Sequence, residues 1–349
     1  MGDADPIGSQ QLLSLMSVSF FYGGRRKRMV QYIFRRVGQM CIVLFAVSII
    51  VFCITNLTGD PVLLLCPPNA TEEQIEMTRE QFGLNLPIWQ QYGRFLWNAL
   101  HGNMGTSFVF NRPVFRLILE RMPATLELTV IAMCFAGLIA IPMGVFAGAK
   151  PKSILSKCIM SFSLVGISMP SFWLGIMLIL IFAVTLGVLP SSGRGDVVEI
   201  MGLRLSFLTE YGFEHIIMPA LTLSMGQIAM LIRLTRAGVM EVMHQDYIKF
   251  ARAKGVPEHR VLFHHALKNA LIPVVTVFGL EFGELIAFAT ITETIFAWPG
   301  MGKLLIDSIN MSDRPVIVAY LLMVAFMFVL LNFLVDILYH VIDPRIEMR

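Results

Sequence analysis

Charge is what this 349-residue chain has least of: Asp, Glu, Lys and Arg make up only 15% of it, where soluble domains carry roughly a quarter. A chain so poor in charge cannot coat a soluble globule. Its hydrophobic residues, 56% of the total, stand in runs of about 20, the length at which a helix crosses the hydrocarbon layer with its own backbone bonds satisfied. Cysteine is sparse as well. Cys41, Cys53, Cys66, Cys134 and Cys158 form no CxxC pair, which excludes a thioredoxin-like or cysteine-built zinc motif and leaves them as small buried hydrophobes. GxxxxGK[ST], HExxH and GxSxG are all absent, excluding a P-loop ATPase, an HExxH metalloprotease and a nucleophile-elbow hydrolase. No basic stretch interleaved with aromatics points to nucleic acid.

What is present predicts an all-α integral membrane protein with six transmembrane helices, at about 37–57, 124–148, 161–188, 215–236, 271–293 and 316–340. The third is longer than one crossing needs, so tilt or a break near Pro170 is expected. The organisation is then an N-terminal segment 1–36, the first span 37–57, an extracytoplasmic helical insertion 58–123, a transmembrane core 124–340 and a tail 341–349. With the N-terminus cytoplasmic, 18 of the 27 Lys and Arg residues fall on the inner side, which places both termini inside. The cluster Arg25, Arg26, Lys27 and Arg28 before the first span reads as the flank of a retained anchor.

In the insertion, Thr71 with Gln74 makes a capping box before EEQIEMTREQFG, and Gly83 ends that helix. Pro87 starts a second helix, whose Trp89, Tyr92, Phe95 and Trp97 offer aromatic surface near the interface. Pro113 opens a third, lying across the outer face. The insertion either receives a soluble partner or caps the outer end of the bundle. Glu127 lies near the outer end of span two, where a carboxylate reaches water, and Gly137, Ala140, Gly144, Ala147 and Gly148 give that span a close-packing stripe. Arg194-Gly195-Asp196 sits in the outer loop 189–214 and carries no adhesion meaning.

The most unusual stretch is Glu241 to Pro273, a cation-rich amphiphilic segment between two apolar runs. It predicts a short helix with Tyr247, Phe250 and Ala251 on one apolar face and Lys249, Arg252 and Lys254 turned outward. Gly255 ends it, and Pro257 takes the first position of a second helix. Span five then holds Gly279 and Gly283, with Glu281 and Glu284 one turn apart. A charge at mid-membrane costs about 2.5 to 3.5 kcal/mol, so these carboxylates face protein or a water-filled cavity, as the lining of a pathway or as bonds between helices. His264-His265 is a poor metal pair, because adjacent helix residues point different ways. Pro142, Pro170 and Pro219 form no matched pair across two halves, as the inverted repeat of an ion-coupled carrier would require.

Several stretches share a family likeness: YIFRRVGQM, TEEQIEMTREQFGLNLPIWQQYGRFL with GNMGTSF, PATLELT, GISMPSFWLG, DYIKFARAKGVPEHRVLFHHALKNALIPVVT, ETIFAWPGMGKLL and DPRI. Over residues 29–347 the chain resembles the B-type permease subunit of bacterial ABC importers of the dipeptide, oligopeptide and nickel class. The resemblance implies the type I ABC importer permease fold, with 241–270 as the cytoplasmic coupling segment. There Gly255 and Ala251 match the wider importer motif, while Lys249 and Phe250 stand where Glu and Ala would be. It implies that Asp246, Tyr247, Phe250, Ala251, Arg252, Lys254, Gly255 and Arg260 couple the chain to an ATPase; Glu281, Glu284, Gly279, Gly283 and Pro170 stay, from residue type and spacing alone, candidates for the pathway or helix packing. The implied partners are a C-type permease, two ABC ATPases that carry ATP and Mg2+, and an extracytoplasmic binding protein. The cargo it implies is dipeptides or short peptides, with nickel or another small solute as the alternative. This chain itself is expected to hold no cofactor or metal.

Overall fold

The computed structural model describes residues 33–54, 70–81, 85–200 and 202–342. Arg25 to Arg28, Cys66, Gly83 and the DPRI tail lie outside them. The chain begins with α1 (Ile33–Ile54), followed by two short helices, α2 (Glu72–Gln81) and α3 (Ile88–Leu100). The capping box opens α2: the Thr71 amide donates to Gln74 Oε1 at 3.1 Å, and the Gln74 amide donates back to Thr71 Oγ1 at 3.4 Å. Then come α4 (Val114–Ala149), α5 (Ile154–Ser168) and α6 (Ser171–Leu178), the last prolonged by a wide π turn over Ile179–Thr185. A small hairpin of β1 (Val198–Ile200) and β2 (Leu203–Leu205) leads to α7 (Glu210–Met243). The chain continues through α8 (Asp246–Ala253), α9 (Glu258–Ile295), α10 (Met301–Asn310) and α11 (Arg314–Ile342).

Among the described residues, five helices, α1, α4, α7, α9 and α11, are long and apolar enough to cross a membrane, and the α5–α6 pair, counted as one broken crossing, makes six. The break is sharper than a kink: the two halves meet at 106°. Pro170 has no amide to donate and pushes Met169 into extended backbone (ψ 123), so the helix cannot run through.

Other boundaries differ from expectation. The outer helix opened by Pro113 and the second span are one 36-residue helix, α4, which runs straight through Pro123. At about 1.5 Å per residue it is some 54 Å long against a hydrocarbon layer of about 30 Å, so its end turns stand clear of the hydrocarbon. Likewise α9 runs from Glu258 to Ile295 by way of a π-helical stretch at Val261–Ala266, so the second helix of the amphiphilic stretch is the near end of span five. Glu241 to Met243 finish α7; the short helix begins only at Asp246.

The bundle is built on α4 against α7, the most extensive contact in the chain. Gly144 makes that approach possible, since a Cβ there would lie 2.5 Å from Thr235 Cβ and 2.9 Å from the Ile232 carbonyl oxygen. The α4 core residues Ala132, Ala136 and Ala140 face Ile216, Ala220 and Ile228 of α7. The cysteines are not part of this core: Cys41, Cys53, Cys134 and Cys158 are free and exposed, where a small apolar side chain suits lipid as well as protein.

Helix α10 is fastened by Glu293 near the end of α9. Its fully buried carboxylate accepts from the Thr125 hydroxyl at 2.6 Å and from the Lys303 amide at 2.9 Å, satisfying a free donor in the first turn of α10. Trp298, equally buried, donates its indole N–H to the Ala124 carbonyl at 2.9 Å. At the other end, Arg36 of α1 pairs with Asp336 of α11 at 2.9 Å.

Candidate functional site

The amphiphilic stretch folds into a compact helix–turn–helix with a core of its own. Ile248 and Ala251 of α8 pack on Val261 and Ala266 of α9, with Val242, Met243 and Val256 around them. This corrects the expected face. Ala251 points inward as predicted, but its partner is Ile248, and Tyr247 and Phe250 point outward, 43% and 61% exposed. The helical spacing accommodates both arrangements; the core fixes which one forms.

The turn has a specific geometry. Gly255 has φ +77, its amide donates to the Arg252 carbonyl at 2.9 Å, and the next amide, Val256, donates to the Ala251 carbonyl at 3.2 Å. Those two bonds are a Schellman closure, and Val256 packs back on the same small core. Glycine is favoured here because a side chain at this φ is strained. Pro257 stands one place earlier than expected, as the residue before α9 rather than its first.

Polar bonds lock the two helices. Arg252 forks onto Glu258 at 2.6 and 3.3 Å, and Asn269 of α9 donates to the Tyr247 hydroxyl at 2.8 Å. Lys254 lies 4.5 Å over the Phe250 ring, a cation–π contact that leaves the ring's other face open. Asp246, in the first turn of α8, bonds Lys249 at 2.8 Å; that bond and the ammonium charge hold its carboxyl below the usual aspartate range, so it stays charged at neutral pH. Arg260 is exposed. The result is a rigid knob whose outward surface is Tyr247, Phe250 and a set of charges.

At mid-helix in α9, Glu281 accepts from Gln227 of α7 at 3.3 Å, while Glu284, one turn on, is exposed. The two glycines of the same helix do something else. A Cβ on Gly279 would meet Val335 Cγ1 at 2.7 Å, and one on Gly283 would meet Phe328 at 3.1 Å, so both serve the packing of α9 on α11. Replacing Gly279 by Ala is expected to cost about 1 to 3 kcal/mol by overpacking. Val335→Ala in the same chain should return part of the loss in detergent melting curves, and an additive double variant would contradict the contact. Pro170 sits at the α5–α6 break, beside an apolar cleft of about 520 Å³ lined by Leu164, Met169, Phe172 and Trp173.

Residues 140–348 match the family of binding-protein-dependent transport system inner membrane components, and residues 29–129 match that family's N-terminal component. The chain belongs to this family. It is 41% identical over 333 residues to the di/tripeptide transport system permease protein DppB of Pseudomonas aeruginosa, covering 91% of this chain and 99% of that one. It is 40% identical over 338 residues to the dipeptide transport system permease protein DppB of Escherichia coli K12, covering 92% and 100%. A putative peptide transport system permease protein of Brucella abortus is 41% identical over 320 residues, covering 91% and 99%. Among solved structures, the inward-facing MetNI methionine ABC transporter aligns with a TM-score of 0.51 at 17% identity, covering 65% of this chain and 96% of that one. The fold is therefore that of the type I ABC importer permease, and the chain is a multi-pass membrane transport component rather than an ATPase.

On this binding-protein-dependent permease, sequence reasoning missed the polar anchors of the end opposite the knob. Glu127 is buried rather than open to water: it pairs with Arg194 at 3.0 Å and accepts from the Ser206 hydroxyl at 3.0 Å and the Phe207 amide at 2.8 Å. Arg194 also stacks over Trp298, 5.7 Å from the ring centroid. Asp313, equally buried, accepts from the Ser107 hydroxyl and the Phe108 amide, tying the loop before α4 to the start of α11. For Glu127 the available signal is a lone acidic residue next to an apolar run, and it suggests water because the Arg194 partner lies 67 residues away in sequence.

Proposed function

We propose that this chain is the permease subunit of an ATP-driven importer of dipeptides or short peptides, forming half of the pathway and receiving ATPase motion through α8. Cytoplasmic ATPases bind and hydrolyse ATP; a homologous C-type permease supplies the other half of the pathway, and a binding protein delivers cargo from outside. The subunit lies in the bacterial inner membrane with both termini and α8 on the cytoplasmic side. In that orientation the outer anchors Glu127 and Asp313 are far from the ATPases.

One observation carries the mechanism: α8 and the start of α9 share a small core, joined to the bundle through Val242 and Met243 of α7, and α9 continues from that core into the membrane. A push on Tyr247 and Phe250 thus passes from α8, through its packing on Val261 and Ala266, into α9, the helix that carries Glu281 and Glu284. Rigid elements with two arrangements are what such transmission needs. The peptide reading rests on the relatives, di/tripeptide and dipeptide permeases that align with more than 90% of this chain. The test is to reconstitute the chain with its co-expressed neighbours and measure hydrolysis with a dipeptide, a longer peptide and nickel. Peptide-stimulated hydrolysis with peptide accumulation is expected. Stimulation by nickel alone would replace the cargo assignment and leave the coupling mechanism in place.

A further inference from the structure

Helix α3 carries more apolar surface than the chain covers. At about 100° per residue its side chains sort into three arcs. Tyr92, Phe95 and Ala99 share one side; Trp89, Leu100 and Trp97 continue the same apolar surface; Gln90, Arg94 and Asn98 fill the polar remainder. The first arc is occupied by α1. The Tyr92 hydroxyl lies 2.8 Å from Ser48 Oγ of α1, its ring meets Phe45 and Phe52 edge-on at 6.1 and 5.3 Å, and Phe95 lies 5.6 Å from Phe52. The second arc is open: Trp89, Trp97 and Leu100 are 71%, 65% and 74% exposed, with the His101 ring against Trp97 at 4.3 Å between centroids.

The contact with α1 sets the depth. Within the described residues, α1 carries a charge-free stretch over 37–54, directly after Arg35 and Arg36. Phe45 and Ser48 stand about 14 and 18 Å beyond Arg36 inside that stretch, so α3 is held beside the membrane-embedded part of α1 and not above it. On α1 itself, beside the α3 contact, Phe45, Ile49 and Ile50 are exposed apolar side chains as well.

We infer that α3 is an interfacial helix of the bilayer: Trp89, Trp97 and Leu100 lie among the acyl chains of the leaflet at the C-terminal end of α1, and Gln90, Arg94 and Asn98 face the headgroups and water. Two tryptophans on the border of an amphipathic helix suit that boundary, because an indole has an apolar body and one polar N–H. The insertion after the first span is thereby anchored to lipid along α3, which leaves α2 as the part presented to water. This inference is independent of the cargo.

The test uses the purified full chain in bilayers of brominated phosphatidylcholine, reading tryptophan emission. The four tryptophans are Trp89, Trp97, Trp173 and Trp298, so the signal of interest is the difference between the natural chain and a Trp89→Phe, Trp97→Phe variant. Both replacements are at exposed positions and keep an aromatic ring. The emission removed by the two changes is expected to be quenched strongly by bromines high on the acyl chains, less by bromines near the chain ends, and little by aqueous iodide. Quenching of that emission by iodide and not by bromolipid would place the face in water and overturn the inference. Quenching by neither would mean protein covers it, and would overturn the inference equally.

Discussion

Replacing Phe250 by Asp is expected to abolish coupled transport while leaving the subunit in the membrane. The side chain is 61% exposed and outside the small core of the knob, so its loss does not disturb folding; I248D, at a fully buried position, is the contrasting change that should. An aromatic anchor at the centre of an interface is worth about 2 kcal/mol or more, so peptide uptake and peptide-stimulated hydrolysis should fall by about 30-fold or more. The introduced carboxylate also stands where Lys254 stacks now, which turns a cation–π contact into an ion pair and changes the shape offered to the partner. Membrane content and basal hydrolysis by the isolated ATPases should be unaltered. Uptake at the natural rate with F250D would sink the claim that α8 transmits the motion.

Glu127→Ala is expected to be the most destabilising single change outside the close-packed glycines. The carboxylate side chain is 1% exposed, its Arg194 partner 10%, and the Ser206 hydroxyl and Phe207 amide depend on the same group. Removing one partner of a buried pair costs about 3 to 5 kcal/mol, against less than about 1 kcal/mol for an exposed pair. The purified subunit should melt roughly 6 °C or more lower, since each kcal/mol shifts a domain of this size class by about 2 °C or more. Replacing both partners by apolar residues of similar size should recover much of the loss, because no unpaired charge then stays buried. Equal melting of E127A and the natural chain would show that the pair is solvated.

Much of this architecture was legible because lipid allows so few solutions. Spans of about 20 apolar residues, the Thr71–Gln74 box and Gly255 followed by Pro257 each have one local physical meaning, and each appears in the structure. What resisted reading was set by contacts distant in sequence. Tyr247 and Ile248 are neighbours, and only the packing of Val261 and Ala266 decides which of them turns inward. The length of α4 was hidden by Pro123, a residue that ends many helices but is tolerated where the rest of the helix is held by α7. Glu127 looked like a surface carboxylate until the outer loop closed over it. Glu281 and Glu284 were read as facing a cavity or a neighbouring helix, and the geometry divides them: one bonds Gln227, and the other is open on the face of α9.

The most direct measurement is made in proteoliposomes holding the complete complex, with labelled dipeptide and the binding protein outside and ATP with Mg2+ inside. Accumulation that requires internal ATP, proceeds with hydrolysis and does not respond to an imposed proton or sodium gradient is the predicted result. Dipeptide movement driven by an ion gradient with no ATP present would contradict the account, and would make Glu281 and Glu284 the groups to examine for ion coupling.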